Sequence, residues 1–184
     1  MTRVAVDQFL FPVMITEKVR GLIMSLEPLI GVERRLLETF GSAGATLMFE
    51  EGKQYAVESL HQLREVLPGA EPEEFLALVV SWLRTTGWGI FEFDIAKLEK
   101  GGTVVVKVRE PPNAVVSGLP RSNFLNGATA GVFEAVFGRP VRLTNSVYDE
   151  PGKTLHLSFE ITRPGSGQQP TSRHGRGPAV GSPS

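Results

Sequence analysis

Apolar positions recur along this chain with two different periods: three to four residues in the first half, and two residues in parts of the second. Phe9 to Ile15 is apolar and β-branched enough for a short strand. Thr16, followed by Glu17, Lys18 and Val19, is an acceptable helix start, and that helix meets Pro28 and Gly31, which break or kink it. Glu33 to Phe40 reads as another helical piece, closed by Gly41. Ser42 can cap the next helix, on which Leu47, Met48, Tyr55, Ala56, Leu60 and Leu63 recur at three- and four-residue steps and make one face apolar. Gly52 inside that helix costs about 1 kcal/mol against alanine, so it implies close packing or room kept for something else. Pro68-Gly69 ends the segment.

The next helix has clear ends. Pro72 takes the first helical position, Glu73 and Glu74 suit the positive end, Arg84 suits the negative end, and Gly87 stops it. Phe75, Leu76, Val79, Trp82 and Leu83 form its stripe; Leu78 and Val80 widen it, which predicts burial on more than one side. Alternation then takes over. Phe91, Phe93 and Ile95, a Lys100-Gly101-Gly102 turn, and Val104, Val106 and Val108 predict a hairpin ended by Pro111-Pro112, with a loop to Pro120. A helix from Ser122 to Gly138 follows, with Pro140 beyond. It carries Phe124, Gly127, Ala128, Gly131 and Ala135 on a face small enough for close backbone approach. A second hairpin closes the pattern: Val141, Leu143 and Val147 on one face, a turn at Asp149-Glu150-Pro151-Gly152, and Leu155, Leu157, Phe159 and Ile161 on the return.

The order is therefore helices-β-β-α-β-β. Two hairpins imply an antiparallel sheet with helices packed on one face, an α+β fold. Residues 1–163 are expected to form a single domain. Residues 164–184 hold Gly, Pro, Ser, Gln and Arg with Val180 as the single large apolar residue, so a disordered tail is expected. Within that tail, Arg173, His174 and Arg176 do no more than suggest a weak basic hook.

Composition removes several function classes. The chain has 184 residues, 41% of them hydrophobic, and a formal net charge of −1. That balance provides no general attraction to nucleic acid or to anionic membrane, and no basic stripe interleaved with aromatics occurs. With no cysteine there is no disulfide framework, thiolate metal site or thiol catalysis, which fits a cytoplasmic setting. No uncharged apolar run reaches the ~18 residues of a membrane span, and no signal-peptide pattern follows Met1.

Candidate chemistry is sparse. His61 lies within reach of Glu58 and Glu65 on a helix, where a metal site is conceivable and a solvated, ion-paired face is the simpler reading. His156 alternates with the core residues of the last strand, among Thr154, Ser158 and Glu160, as on any wet strand face. Gly41-Ser42-Ala43-Gly44 precedes a helix but lacks the ending of a phosphate-binding loop. Glu50-Glu51 and Glu73-Glu74 are sequence neighbours, so on a helix they diverge by about 100° and suit the surface better than acid–base work. No catalytic residue, metal site or cofactor is expected. Phe75, Trp82, Trp88, Phe124, Phe133 and Tyr55 either line an apolar pocket or form a plain core; residue types leave both open.

Several stretches together resemble the 4-vinyl-reductase, or hydrocarbon-binding, domain family. They are Leu47-Met48-Phe49-Glu50-Glu51-Gly52-Lys53, Leu83-Arg84-Thr85-Thr86-Gly87-Trp88-Gly89, Phe124 to Phe133, Gly138-Arg139-Pro140-Val141, and Leu157-Ser158-Phe159-Glu160-Ile161. The likeness covers about Leu36 to Ile161. It implies a fold shared with haem nitric-oxide sensors and TRAPP transport subunits, and binding of small apolar molecules. Several family members bind zinc through a glutamate and two cysteines in the closing hairpin. Here Leu157 stands where the last cysteine would be, and the other ligand positions fall near Ser146 and Asp149, so that site is expected to be lost. The expected pocket set is Met48, Tyr55, Phe75, Trp82, Trp88, Phe124 and Phe133. The leading expectation is a ligand-binding or sensor domain for an apolar or aromatic molecule, without catalysis of its own. The alternatives are a protein-interaction subunit acting as a homodimer and, with least support, an accessory to a reductase.

Overall fold

A computed structural model describes residues 11–14, 20–23, 26–66, 69–93, 102–112 and 122–162. Its elements are β1 (Phe11–Met14), β2 (Arg20–Ile23), α1 (Leu26–Phe40), α2 (Ser42–Val66), α3 (Pro72–Thr85), β3 (Ile90–Phe93), β4 (Gly102–Arg109), α4 (Asn123–Phe137), β5 (Val141–Asp149) and β6 (Thr154–Ile161). Of the expected turn Lys100-Gly101-Gly102, Gly102 is the first residue of β4; Lys100, Gly101, the loop to Pro120 and the tail from Pro164 lie outside the described residues, as does the helix start at Thr16.

The α+β architecture is the one the pattern predicts, with an addition at its front. Arg20–Ile23 is a strand paired antiparallel to β1, with Phe11 opposite Ile23 and Met14 opposite Arg20, so no helix runs from Thr16 to Pro28. The first helix starts at Leu26 and continues through both Pro28 and Gly31. Pro28 is its third residue, inside the first turn, where a backbone N–H has no helical acceptor to lose. Gly41, with φ +56°, closes α1 and also opens α2, because its carbonyl accepts from Ala45 N at 3.1 Å. Ser42 is therefore the first helical residue, not the cap.

The main sheet has the order β3-β4-β6-β5, antiparallel throughout. The two hairpins join through β4 and β6. Val104, Val106 and Val108 of β4 and Leu155, Leu157, Phe159 and Ile161 of β6 are buried, while Thr103, Val105, Lys107 and Arg109 face out. One face of the sheet thus meets the helices and the other is open, as a period of two requires. In β5 the alternation breaks. A bulge between Leu143 and Asn145 shifts the register, so Ser146 lies opposite Leu157 and Tyr148 opposite Leu155, while Val147 lies opposite His156. Val147 is accordingly 43% exposed and does not share the face of Val141 and Leu143, because one extra residue inverts everything beyond it.

α4 lies against β5, α2 runs across α4, α1 packs on α2, and α3 touches β3 and α4. The α2–α4 contact is made through glycine. A Cβ on Gly127 would stand 1.9 Å from the Phe49 carbonyl oxygen, and one on Gly52 would stand 2.1 Å from that of Phe124. Nothing but hydrogen fits there. The buried ridge of α2 is accordingly Gly44, Met48, Gly52, Ala56 and Leu60, one residue every fourth, and Leu47 points to solvent. α3 buries Phe75, Leu76 and Val79, but Leu78 is 42% exposed, so it is buried on one side rather than several. No helix among the described residues is long and apolar enough to cross a membrane.

Candidate functional site

The local chemistry at the end of α3 sets one wall of a recess. Trp88 N donates to Leu83 O at 2.9 Å and Gly87 N donates to Arg84 O at 3.2 Å. With Gly87 at φ +84°, this is the six-to-one and five-to-two closure that ends helices at glycine. Such closures bring the residue after the glycine against the last turn, and Trp88 and Leu83 accordingly stand on the same wall. Gly89, at φ +105°, then turns the chain into β3, where a Cβ would press on Arg109 O at 2.8 Å.

The opposite wall comes from α4. Ser122 caps it by accepting from Leu125 N at 3.1 Å, and Gly138 in the left-handed conformation ends it. Leu125, Ala128, Thr129 and Val132 follow the three-four spacing of one helical face, and all four line the recess. Tyr55, Ala56, Ser59 and Leu60 of α2, Val79 and Trp82 of α3, and Phe91 of β3 complete it. About 470 Å³ there is not filled by atoms, its solvent-facing part included.

Aromatic rings form the more exposed side. Trp88 stacks on Phe124 with centroids 5.9 Å apart and planes 26° apart, and Tyr55 tilts onto Phe124 at 5.8 Å and 42°. The closed side is built from Leu60, Val79 and Leu125, at most 3% exposed. Only apolar atoms face the space. The Thr129 hydroxyl donates to Leu125 O at 2.8 Å, so its polar end is tied to its own helix. In the present arrangement of side chains the space is narrow, with room for little more than water, so a ring requires the aromatic side to part.

Of the seven residues singled out from the sequence, Tyr55, Trp82, Trp88 and Phe124 line this recess. The other three do not. Met48 is buried on the glycine ridge of α2. Phe75 is buried under the Arg64 guanidinium, 5.3 Å from its ring centroid. Phe133 is wedged edge-on between Phe93 and Phe159, each at 5.6 Å. The aliphatic and small residues of the wall lie outside that set. Helical spacing marks them as one face of α4, but not as a face that meets α2 and α3.

The polar candidates are dispersed. His61 is 4.0 Å from Glu65, both well exposed, while Glu58 accepts from Gln54 Nε2 at 2.8 Å. No group of three His, Cys, Asp or Glu side chains suited to a metal occurs among the described residues. Gly44 packs its Cα against Leu36 O, where a Cβ would stand at 2.3 Å, so this glycine serves the α1–α2 contact. Where the resemblance led the zinc-ligand positions to be expected, Leu157 is buried in the core, Ser146 Oγ accepts from Asn126 Nδ2 at 3.2 Å, and Asp149 is exposed at the turn.

No family model matches the chain, and no curated protein does. Among solved structures, the fold is similar to that of the phenol-responsive sensory domain of the transcription activator PoxR, determined with phenol. The TM-score is 0.60 at 11% sequence identity, covering 78% of this chain and 77% of that one.

Proposed function

We propose that this protein binds a small apolar or aromatic molecule in the recess between α2, α3, β3 and α4, and serves as a sensor domain rather than as a catalyst. The observation that carries the reading is the wall itself: the Phe124 ring in contact with both Tyr55 and Trp88 over a closed aliphatic end, with no polar atom presented. Pockets with this character hold ligands by burial of apolar surface. The similar fold of a sensory domain solved with phenol supports the reading, as does the resemblance to hydrocarbon-binding domains. Native mass spectrometry of protein purified from its source tests it, together with titration of a hydrophobic fluorescent probe. A co-purified small molecule or saturable probe binding is expected. Absence of both would remove the proposal.

A second reading rests on a different observation. Val32 and Phe40, two turns apart on α1, are 54% and 59% exposed. An apolar pair left on a helix surface suits a protein contact, and the proposed partner is a second copy in a homodimer. Light scattering across concentrations checks this: a Phe40→Asp variant should lower any mass above that of the monomer. A strict monomer at all concentrations would leave only the ligand-binding reading.

A further inference from the structure

We infer that Trp88 is the gate of the recess: it swings on Gly87 away from a fixed Phe124, and the Thr86 hydroxyl takes over at the carbonyl that the swing leaves. This rests on the ligand-binding reading above and assigns the moving part that such binding needs, since a ring enters only when the aromatic side parts.

Of the three rings on that side, two are held by their backbones. Phe124 belongs to α4, and its carbonyl lies against Gly52 of α2 with no room for a methyl group between them. Tyr55 belongs to α2, one residue before Ala56, which packs against Gly131 of α4. Parting α2 from α4 would undo these contacts, so both rings turn only about their own side-chain bonds. Trp88 differs. It stands in neither helix nor strand, between α3 and β3. Gly89 behind it is buried against the Arg109 carbonyl, which fixes the approach to β3. Gly87 ahead of it is exposed, at φ +84°, with open space where a side chain would stand. A glycine so placed is free to turn.

Hydrogen bonds set the cost of turning. Rotation on the carbonyl side of Gly87 leaves Gly87 N on Arg84 O and releases Trp88 N from Leu83 O. The freed N–H turns with the exposed Gly87 toward water. The larger loss would be the carbonyl of half-buried Leu83, left without its donor. Thr86 prevents that. Its hydroxyl oxygen lies 2.8 Å from Trp82 O and 3.3 Å from Leu83 O. A hydroxyl has one proton and donates to one of them at a time. Trp82 O also accepts from Thr86 N at 2.9 Å, so the hydroxyl can turn to Leu83 O and leave neither carbonyl bare. What then opposes opening is the Trp88–Phe124 stack. Thr86 is therefore a positioning residue: it does not line the recess, and it favours the open form.

The chain has two tryptophans, Trp82 and Trp88, and both line the recess. The test labels the full chain with 5-fluorotryptophan and reads fluorine NMR, with Trp82→Phe identifying the Trp88 signal. Without ligand, that signal is expected to show exchange on the microsecond-to-millisecond scale, and toluene should move it toward the open form. Thr86→Val should lower the open fraction about fivefold to tenfold and weaken toluene by the same factor, because only the open form admits a ring. Thr86→Ser keeps the hydroxyl and should match the unaltered protein in both. A Trp88 signal without exchange, in protein that still binds toluene, would overturn the gate and leave the ligand-binding reading intact. So would a Thr86→Val variant that loses toluene affinity at an unchanged open fraction. Binding of neither toluene nor a hydrophobic fluorescent probe would overturn the ligand-binding reading and the gate with it. Where Thr86→Val fails to fold, the exchange at Trp88 and its response to toluene in the unaltered protein decide.

Discussion

Ser122 donates a 2.7 Å hydrogen bond to Glu33 across 89 positions of sequence, and through it α1 holds the start of α4. The second carboxylate oxygen of Glu33 accepts from Asn123 N, and Ser122 Oγ accepts from Leu125 N at 3.1 Å. A buried anion at a helix N-terminus meets the positive end of the dipole and satisfies a donor that has no helical partner. Glu33 is 2% exposed, so these bonds are formed out of water. Phe124, two residues on from Ser122, is the shared ring of the aromatic wall. Capping and site geometry are therefore joined at one helical turn.

Removing the carboxylate should be costly. Glu33→Ala leaves the Ser122 hydroxyl and the Asn123 N–H buried without their acceptor, for an expected loss of about 2–3 kcal/mol. Ser122→Ala should lose about 1 kcal/mol. Because the two act on the same turn, the double variant should lose less than the two single losses together. Urea midpoints measure all three; an unchanged midpoint for Glu33→Ala would refute the capping role.

The glycines should separate into two kinds. Gly127→Ala drives a methyl group into the Phe49 carbonyl at 1.9 Å, and backbone cannot rotate away, so loss of the folded state is expected. Gly31→Ala meets nothing within 4 Å on a helix and should stabilise by about 0.4–1 kcal/mol. Thermal melts of the two variants suffice. A tolerated Gly127→Ala would show that the α2–α4 contact is looser than these distances imply.

Filling the recess should abolish binding without abolishing the fold. Ser59 is half-buried on α2 and lines the space, so Ser59→Phe can occupy it from the side nearer solvent. Circular dichroism should be unchanged and probe affinity should fall at least tenfold. Retained affinity in that variant places the ligand elsewhere on the molecule.

Tyr148 supplies a pH signature. Its phenol is held above the ordinary tyrosine range by burial first, and then by the neighbouring carboxylates of Glu150 and Asp149. A raised folded-state value means that the native protein keeps its proton longer than the unfolded chain does. The stability tied to this group is complete below the unfolded value and declines as pH rises through the folded one, that is, from about pH 10 upward. Phenolate absorbance should show a late-titrating tyrosine that Tyr148→Phe removes. If the late phase survives in Tyr148→Phe, the assignment fails.

Much of this organisation was legible where local chemistry acts alone. Pro72, Glu73, Glu74, Arg84 and Gly87 mark both ends of α3, and Ser122 and Gly138 mark both ends of α4. Each signal works within one helical turn, so a linear reading captures it. The alternation of Val104, Val106 and Val108 showed the same for β4. Errors arose where a local preference had competitors. The β2 segment reads acceptably as helix by its residues, but pairing with β1 supplies hydrogen bonds that no single strand can satisfy. The bulge after Leu143 leaves no mark in an apolar pattern, so that pattern alone puts Val147 on the face of Val141 and Leu143.

The aromatic residues show the same division. Their types and spacing mark them as candidates for core or pocket and no further, because periodicity is a property of one element at a time. Which of them pack in the core and which face open space depended on how α2 crosses α4 and where α3 delivers Trp88. That crossing is set by carbonyls meeting glycines from distant parts of the chain, Phe49 with Gly127 and Phe124 with Gly52. Sequence alone determined α3, α4, the strands of the main sheet and the absence of thiol chemistry. The tertiary structure decided that Phe75 and Phe133 fill the core while Trp88, Phe124 and Tyr55 wall a recess, because a cavity is the space left between elements and belongs to none of them.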